Sequence, residues 1–148
     1  GYGKNGRDTF PKMLKERHID PSKSPRIQAK EYIDNMNLYV AAADIVVSRA
    51  GASTIMELEV AGKPSILVPY PYAAENHQYH NARVLEEADA SILVEEKNYD
   101  REQLLGKIRE LYEHPERLKE LSQNASKLAV LDTAEKIYDI IMTELEKK

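Results

Sequence analysis

Three short apolar runs, Ile45-Val46-Val47, Ile66-Leu67-Val68 and Ile92-Leu93-Val94, constrain this chain most. None alternates with polar residues, so each asks for cover on both faces, as parallel strands do. A helical pattern follows each run, and strands alternating with helices make a parallel α/β sheet. The first run leads into Ser48-Arg49-Ala50-Gly51-Ala52-Ser53-Thr54-Ile55-Met56-Glu57. That reads as a strand end, a Gly-centred turn and a helix start. Such a junction aims free backbone N–H groups and the positive end of a helix dipole at one spot, which suits an anion such as a diphosphate.

The other elements fall around this junction. Gly1 to Gly6 is a flexible opening whose glycines and Lys4 do not match the G-x-x-x-x-G-K-[ST] phosphate loop. A helix is expected over Asp8–His18, with Phe10, Met13 and Leu14 on one face, then a loop over Asp20–Pro25. Arg26–Ile33 reads as a further strand. Asp34-Asn35 offers an N-cap to a short helix carrying Met36, Leu38, Tyr39, Ala42 and Ala43. The helix at Ile55–Ala61 stops at Gly62, with Lys63-Pro64 beyond it. The second strand is Ser65–Pro69; Asn76 is placed to cap a helix to Ala88, and Ser91–Val94 is a last strand. Asp100-x-x-Gln103 and Asp132-x-x-Glu135 read as capping boxes. Leu118, Leu121, Ala125 and Leu128 mark the helix from Pro115; Ile137, Tyr138, Ile141 and Leu145 form the apolar face of the last one.

Composition narrows the function. The 148 residues are one domain's worth of chain. A net charge of −4 and a pI near 5.6, with no basic face, argue against a nucleic-acid partner. Without cysteine, neither a disulfide framework nor a thiolate metal site can form. No apolar run approaches the roughly 18 residues of a membrane span, and no secretory signal is present; a cytoplasmic setting is expected. The chain opens Gly1-Tyr2-Gly3 without an initiating Met, and reads as a piece of a longer protein.

In open parallel sheets ligands bind at the carboxyl ends of the strands. Three segments are expected there: Tyr32-Ile33-Asp34, Ser48–Thr54 and Pro69–Gln78. Glu57 follows Thr54 by three residues, so it either closes a capping box on the Thr54 N–H or accepts two hydroxyls of a ribose. His77, Gln78 and Asn81 can face one direction on a helix, at i,i+4 and i,i+3. They form either a set of neutral donors and acceptors for sugar hydroxyls or a solvated first turn. His77 and His80 also have metal-chelating spacing, with no third ligand evident. Arg49 either approaches a phosphate or pairs with Asp44 or a surface Glu. Tyr70 and Tyr72 either stack a ring or pack the loop. No Ser-His-Asp arrangement or spaced carboxylate pair appears.

These segments, in order, are similar to one family. Tyr32-Ile33-Asp34-Asn35-Met36, Ala43 to Ala52, Glu57-Leu58, Ala61-Gly62-Lys63-Pro64, Val68-Pro69-Tyr70-Pro71 and Asn76-His77-Gln78-x-x-Asn81-Ala82 resemble the donor-binding half of the MurG glycosyltransferases. The resemblance implies a Rossmann-like parallel sheet flanked by helices, the C-terminal half of a GT-B fold. It implies inverting, metal-independent transfer of N-acetylglucosamine from UDP to the 4-hydroxyl of a lipid-linked muramoyl pentapeptide, a step of peptidoglycan synthesis. By position, Ile33 matches the residue whose backbone meets uracil, and Glu57 the acid that holds the ribose diol. Ala52 and Ser53 match backbone positions near the diphosphate and sugar. His77, Gln78 and Asn81 match the polar set around the N-acetylglucosamine; His77 stands where some members have glutamine. With Arg49 and Gly51 these are the expected donor-binding residues. No catalytic residue and no metal ligand is assigned.

Measured against that family, residues 1–148 are a partial UDP-sugar-binding domain. The first strand, its Gly-rich loop and the N-terminal acceptor domain, which holds the general base and the lipid-linked acceptor, are absent. In a 3-2-1-4-5-6 sheet the Arg26 strand would be third and the Ile45 strand fourth, so exposed strand edges and dimer pairing through them are expected. The parent is expected as a peripheral protein on the inner face of the bacterial membrane. Two other functions share the sequence features: a non-catalytic UDP-sugar-binding subunit with a separate membrane partner, and a related transferase with another acceptor.

Overall fold

The computed structural model describes residues 1–96 and 100–147, which form two units, Gly1–Tyr39 and Val40–Lys148. In the first unit, helix α1 spans Phe10–Glu16. Pro11 sits in its first turn, where a missing N–H costs nothing. The Tyr2 ring stacks on Phe10 with centroids 4.9 Å apart. Gly1–Gly3 runs beside Lys30–Glu31, and the N–H groups of Tyr2 and Gly3 donate to the carbonyls of Lys30 and Glu31 at 2.9 Å each.

The strand expected over Arg26–Ile33 is not formed. Two backbone bonds near its end are too few for a ladder, and no residue of this unit is buried. Alternation of Ile27 and Ala29 with polar residues describes a face, but Ile27 finds no cover. A strand needs a paired edge and a buried side to be stable. Helix α2, Met36–Ala42, then carries the chain into the second unit.

There, β1 (Val46–Ser48), β2 (Ser65–Leu67) and β3 (Ile92–Leu93) pair in parallel in the order β1-β2-β3. Val46 lies opposite Ser65, and Ile66 opposite Ile92. Helix α3 (Ala52–Val60) connects β1 to β2, and α4 (His77–Glu87) connects β2 to β3. Helices α5 (Arg101–Glu113), α6 (Pro115–Leu128) and α7 (Thr133–Glu146) follow.

β2 is buried throughout, as its unbroken apolar run requires. Its side chains alternate between two cores, because successive strand residues face opposite sides. Leu67 packs with Ile55 and Leu58 of α3 and Leu85 of α4. Ile66 packs with Leu111 of α5 and Leu121 of α6. Each such side chain contributes about 1.5–3 kcal/mol of burial. β1 departs from expectation: it pairs on one side only among the described residues, and Val47 is half exposed.

The ends of the helices follow local chemistry more closely. α3 ends in a Schellman motif: Gly62 adopts φ +57°, its N–H reaches Glu59 O at 3.0 Å, and Lys63 N–H reaches Leu58 O at 2.9 Å. Lys63 Nζ donates to the carbonyls of Ala41 and Ala43 at 2.7 and 3.1 Å, near the end of α2 where a cation is favoured. Ser122 Oγ of α6 donates to Gly62 O at 2.7 Å, seating α6 against the turn. At the far end of α4, Arg117 of α6 grips the Asp89 carboxylate with two nitrogens and holds its pKa below the usual range through that hydrogen bonding.

Three expected caps are corrected. Asp100 does cap α5, but through Glu102 N–H at 3.0 Å rather than that of Gln103. Asp132 makes no cap bond; its carboxylate pairs with Lys136 at 2.9 Å, one turn along α7. Asn76 precedes α4 in a left-handed conformation, φ +54°, with no side-chain cap. The apolar face of α7 is also uncovered: Ile137, Tyr138, Ile141 and Leu145 are all more than half exposed. An amphipathic period specifies a face and not the partner that covers it.

A Cβ on Gly62 would fall 2.4 Å from Ser126 Oγ, at a φ that side chains disfavour. Gly62→Ala is therefore expected to lower the unfolding free energy by about 1–2 kcal/mol. Urea denaturation reads this directly, and an unchanged midpoint would show that the turn is not held as described.

Candidate functional site

Parallel pairing brings the carboxyl ends of β1, β2 and β3 to one edge of the sheet. There the chain leaves β1 through Arg49, Ala50 and Gly51 and enters α3 at Ala52. The helix thus begins three residues before the sequence pattern placed it. Gly51 is its N-cap, in ordinary extended backbone at φ −69°, and no side chain caps it. The N–H groups of Ala52, Ser53 and Thr54 are the unpartnered donors of a helix start. A Cβ on Gly51 would meet only Thr54 Oγ1, at 3.9 Å. Glycine is not required there by its φ; its effect is to leave the helix end open to close approach.

This start corrects one reading of Glu57. Thr54 lies inside α3, so no Thr54–Glu57 capping box forms. Glu57 is exposed one turn above Ser53, on the face opposite buried Ile55 and Leu58. A carboxylate there is free to accept hydrogen bonds from a ligand lying along the helix start. Ser53 and Ala52 are exposed on the same end of the helix.

Helix α4 ties two strand ends together. Asn81 Nδ2 donates to Ala50 O at 3.1 Å. Gln78 Oε1 accepts from Tyr70 N–H at 3.0 Å. Their spacing of three residues places both side chains toward these loops, one on each. Both are half-buried, so the solvated-turn reading does not hold for them. His77 is exposed at the start of α4, and its Nδ1 lies 2.8 Å from Ala74 O. That contact puts the proton of the neutral ring on Nδ1 and leaves Nε2 as an acceptor. Before it, Glu75 and Asn76 both take positive φ, 50° and 54°, which bends the loop into α4.

Arg49 pairs not with Asp44 but with a surface Glu, one of the alternatives its sequence position left open. Its Nη1 donates to Val68 O and Pro69 O, both at 3.2 Å, and pairs with Glu96. Glu96, which follows β3, was missed in the sequence, although the strand-end rule applies to β3 as to the others. Tyr70 and Tyr72 pack edge to face at 5.7 Å, and the Arg49 guanidinium lies 5.4 Å from the Tyr70 ring centroid. Both rings remain exposed, Tyr72 at 83%, so neither is packed into the loop. A cleft of about 190 Å³ opens beside them, lined by Pro69, Pro71, Asn76, Tyr79, Glu95 and Glu96. A wider opening of about 600 Å³ lies away from the α3 start, against α4, β3 and α5. Its Arg83 pairs with Glu86 and Glu87, and its Lys107 with Glu110.

Ile33 belongs to the first unit, half-buried in the stretch before α2. Of the other expected residues, Arg49, Gly51, Ala52, Ser53, Glu57, Gln78 and Asn81 lie on the β1–α3 junction or on the helix that ties it to β2, and His77 starts that helix. Among the described residues no three His, Asp or Glu side chains gather as a metal site.

A short parallel sheet whose strand ends carry an uncapped helix start, with a carboxylate one turn along, defines a Rossmann-like ligand-binding domain. Residues 4–137 match the glycosyltransferase family 28 C-terminal domain, and the chain belongs to that family. It is 43% identical over 139 residues to the UDP-N-acetylglucosamine--N-acetylmuramyl-(pentapeptide) pyrophosphoryl-undecaprenol N-acetylglucosamine transferase of Desulforamulus reducens, covering 94% of this chain and 37% of that protein. The same-named protein of Thermoanaerobacter pseudethanolicus is 42% identical, with 94% and 38% covered. The crystal structure of Acinetobacter baumannii MurG superposes with a TM-score of 0.72 at 27% identity, over 79% of this chain and 33% of that one. The fold expected from the sequence, a Rossmann-like parallel sheet of the C-terminal GT-B type, stands. The chain spans little more than a third of the length of these relatives.

Removal of the Asn81 amide leaves the carbonyl of fully buried Ala50 without its partner. Asn81→Ala is expected to cost about 1–3 kcal/mol, read as a lowered thermal midpoint. Wild-type stability in that variant would show that the tie is not formed.

Proposed function

We propose that this chain is the donor-binding part of an inverting glycosyltransferase that moves N-acetylglucosamine from UDP to a lipid-linked muramoyl pentapeptide. The carrying observation is the start of α3: open N–H groups at Ala52 to Thr54, an unobstructed Gly51 and exposed Glu57 one turn above. The names of the relatives supply the nucleotide sugar and the acceptor, and the donor chemistry fits the junction.

In this reading the diphosphate lies against the α3 N-terminus. Its charge grows as the glycosidic bond breaks, and fixed N–H dipoles stabilise that charge without reorganising. No metal is needed for that role. Glu57 accepts the two ribose hydroxyls, which a carboxylate can do with both oxygens. His77 Nε2, with Gln78 and Asn81 on the same helix, faces the sugar. The general base for the acceptor hydroxyl and the acceptor surface come from outside this chain. In this reading the lipid-linked acceptor brings the reaction to a membrane surface and the nucleotide-sugar donor to its cytoplasmic face; no described helix is long and apolar enough to cross a membrane.

Glu57→Ala in the full natural polypeptide that carries this sequence tests the assignment. Charge-assisted hydrogen bonds worth about 1.5–3 kcal/mol are lost, which weakens UDP-N-acetylglucosamine binding roughly 10- to 100-fold. Calorimetry measures it, and an unaltered Kd would remove Glu57 from the site.

A further inference from the structure

Arg49 spans all three strand ends. It leaves β1; its Nη1 donates to the Val68 and Pro69 carbonyls beyond β2, and the same nitrogen meets the Glu96 carboxylate beyond β3. The guanidinium also rests near the Tyr70 ring, whose residue is held by Gln78 through its backbone N–H. One residue on, Ala50 O receives Asn81. The start of α3 is therefore fixed from β2 and β3 at residue 49 and from α4 at residue 50.

The guanidinium faces two carbonyls and a carboxylate, which balance its charge, while its side chain stays about half exposed. Such a group is well placed to hold loops in register. All three acceptors lie around Nη1, which carries two N–H groups, so at least one N–H is shared between them. We propose that Arg49 is a positioning residue of the donor site. With Glu96 as its counter-ion it cross-ties the ends of β1, β2 and β3 and keeps the N–H groups at Ala52 to Thr54 aimed at the diphosphate. The inference rests on the donor-site reading above.

The test titrates UDP and uridine into the full natural polypeptide, unsubstituted and as Arg49→Ala, Arg49→Lys and Glu96→Gln. Arg49→Ala is expected to weaken UDP about tenfold and to change uridine, which has no phosphate, much less. Arg49→Lys recovers part of the loss. Glu96→Gln weakens UDP in the same direction but less, and adding it to Arg49→Ala causes no further loss, since both act through one tie. Tighter UDP binding by Glu96→Gln overturns the proposal, because Glu96 would then compete with phosphate for a direct ligand. Equal weakening of UDP and uridine also overturns it, as general damage, and so does an unaltered UDP affinity in Arg49→Ala. If Arg49→Ala does not fold, Arg49→Lys and Glu96→Gln carry the same comparison. Absence of UDP binding in the unsubstituted protein overturns the donor-site reading and this inference with it, whereas UDP binding that ignores Arg49 overturns the inference alone.

Discussion

The burial of β2 on both faces is the constraint from which the second unit follows. A strand of Ser65, Ile66 and Leu67 with no exposed side needs helices above and below it and a partner on each edge. The connections through α3 and α4 supply those partners in parallel. Parallel pairing puts every carboxyl end on one side of the sheet, so the loops after β1, β2 and β3 become neighbours without any contact having to select them. The β1–α3 junction is thus a consequence of core packing before it is a consequence of any polar residue.

Polar residues then decide how well those neighbouring loops are held. Asn81, Gln78 and Arg49 each reach from one element to a loop on another. The neutral bonds of Asn81 and Gln78 are individually modest, at about 0.5–1.5 kcal/mol net each. The combined effect of the three side chains is geometric: they tie together the loops that follow β1, β2 and β3, beside the start of α3. A helix end that stabilises developing charge does so only if its dipoles are already fixed. The residues read as sugar ligands from their type and spacing therefore also serve as structural ties.

Much of this was legible in the sequence, and the misses share a cause. The apolar runs at Ile45, Ile66 and Ile92 and the stop at Gly62-Lys63-Pro64 state their structure locally, so the sheet and the end of α3 could be read directly. The start of α3 could not, because Ser53 and Thr54 suit a cap or turn as readily as a helix, and Gly51 carries no capping side chain. The Thr54–Glu57 spacing mimicked a cap that the backbone had already passed. Arg26–Ile33 showed the alternation of a strand, but strand formation depends on pairing that no single segment encodes. Glu96 was invisible for the same reason: only the folded sheet brings it to Arg49, 47 residues away.

The ties at the strand ends grip main-chain atoms: the carbonyls of Ala50, Val68 and Pro69 and the amide of Tyr70. A carbonyl is common to all twenty residue types, so the ties do not select the side chains at 68 and 69; packing does, since Val68 rests against the Ile66 core and Pro69 is buried. Two positions in this stretch must also offer an N–H: 68, which donates to Ser48 O at 2.8 Å, and 70, which donates to Gln78. Both are thereby closed to proline, and so the prolines of this loop stand at 69 and 71, alternating with the donors.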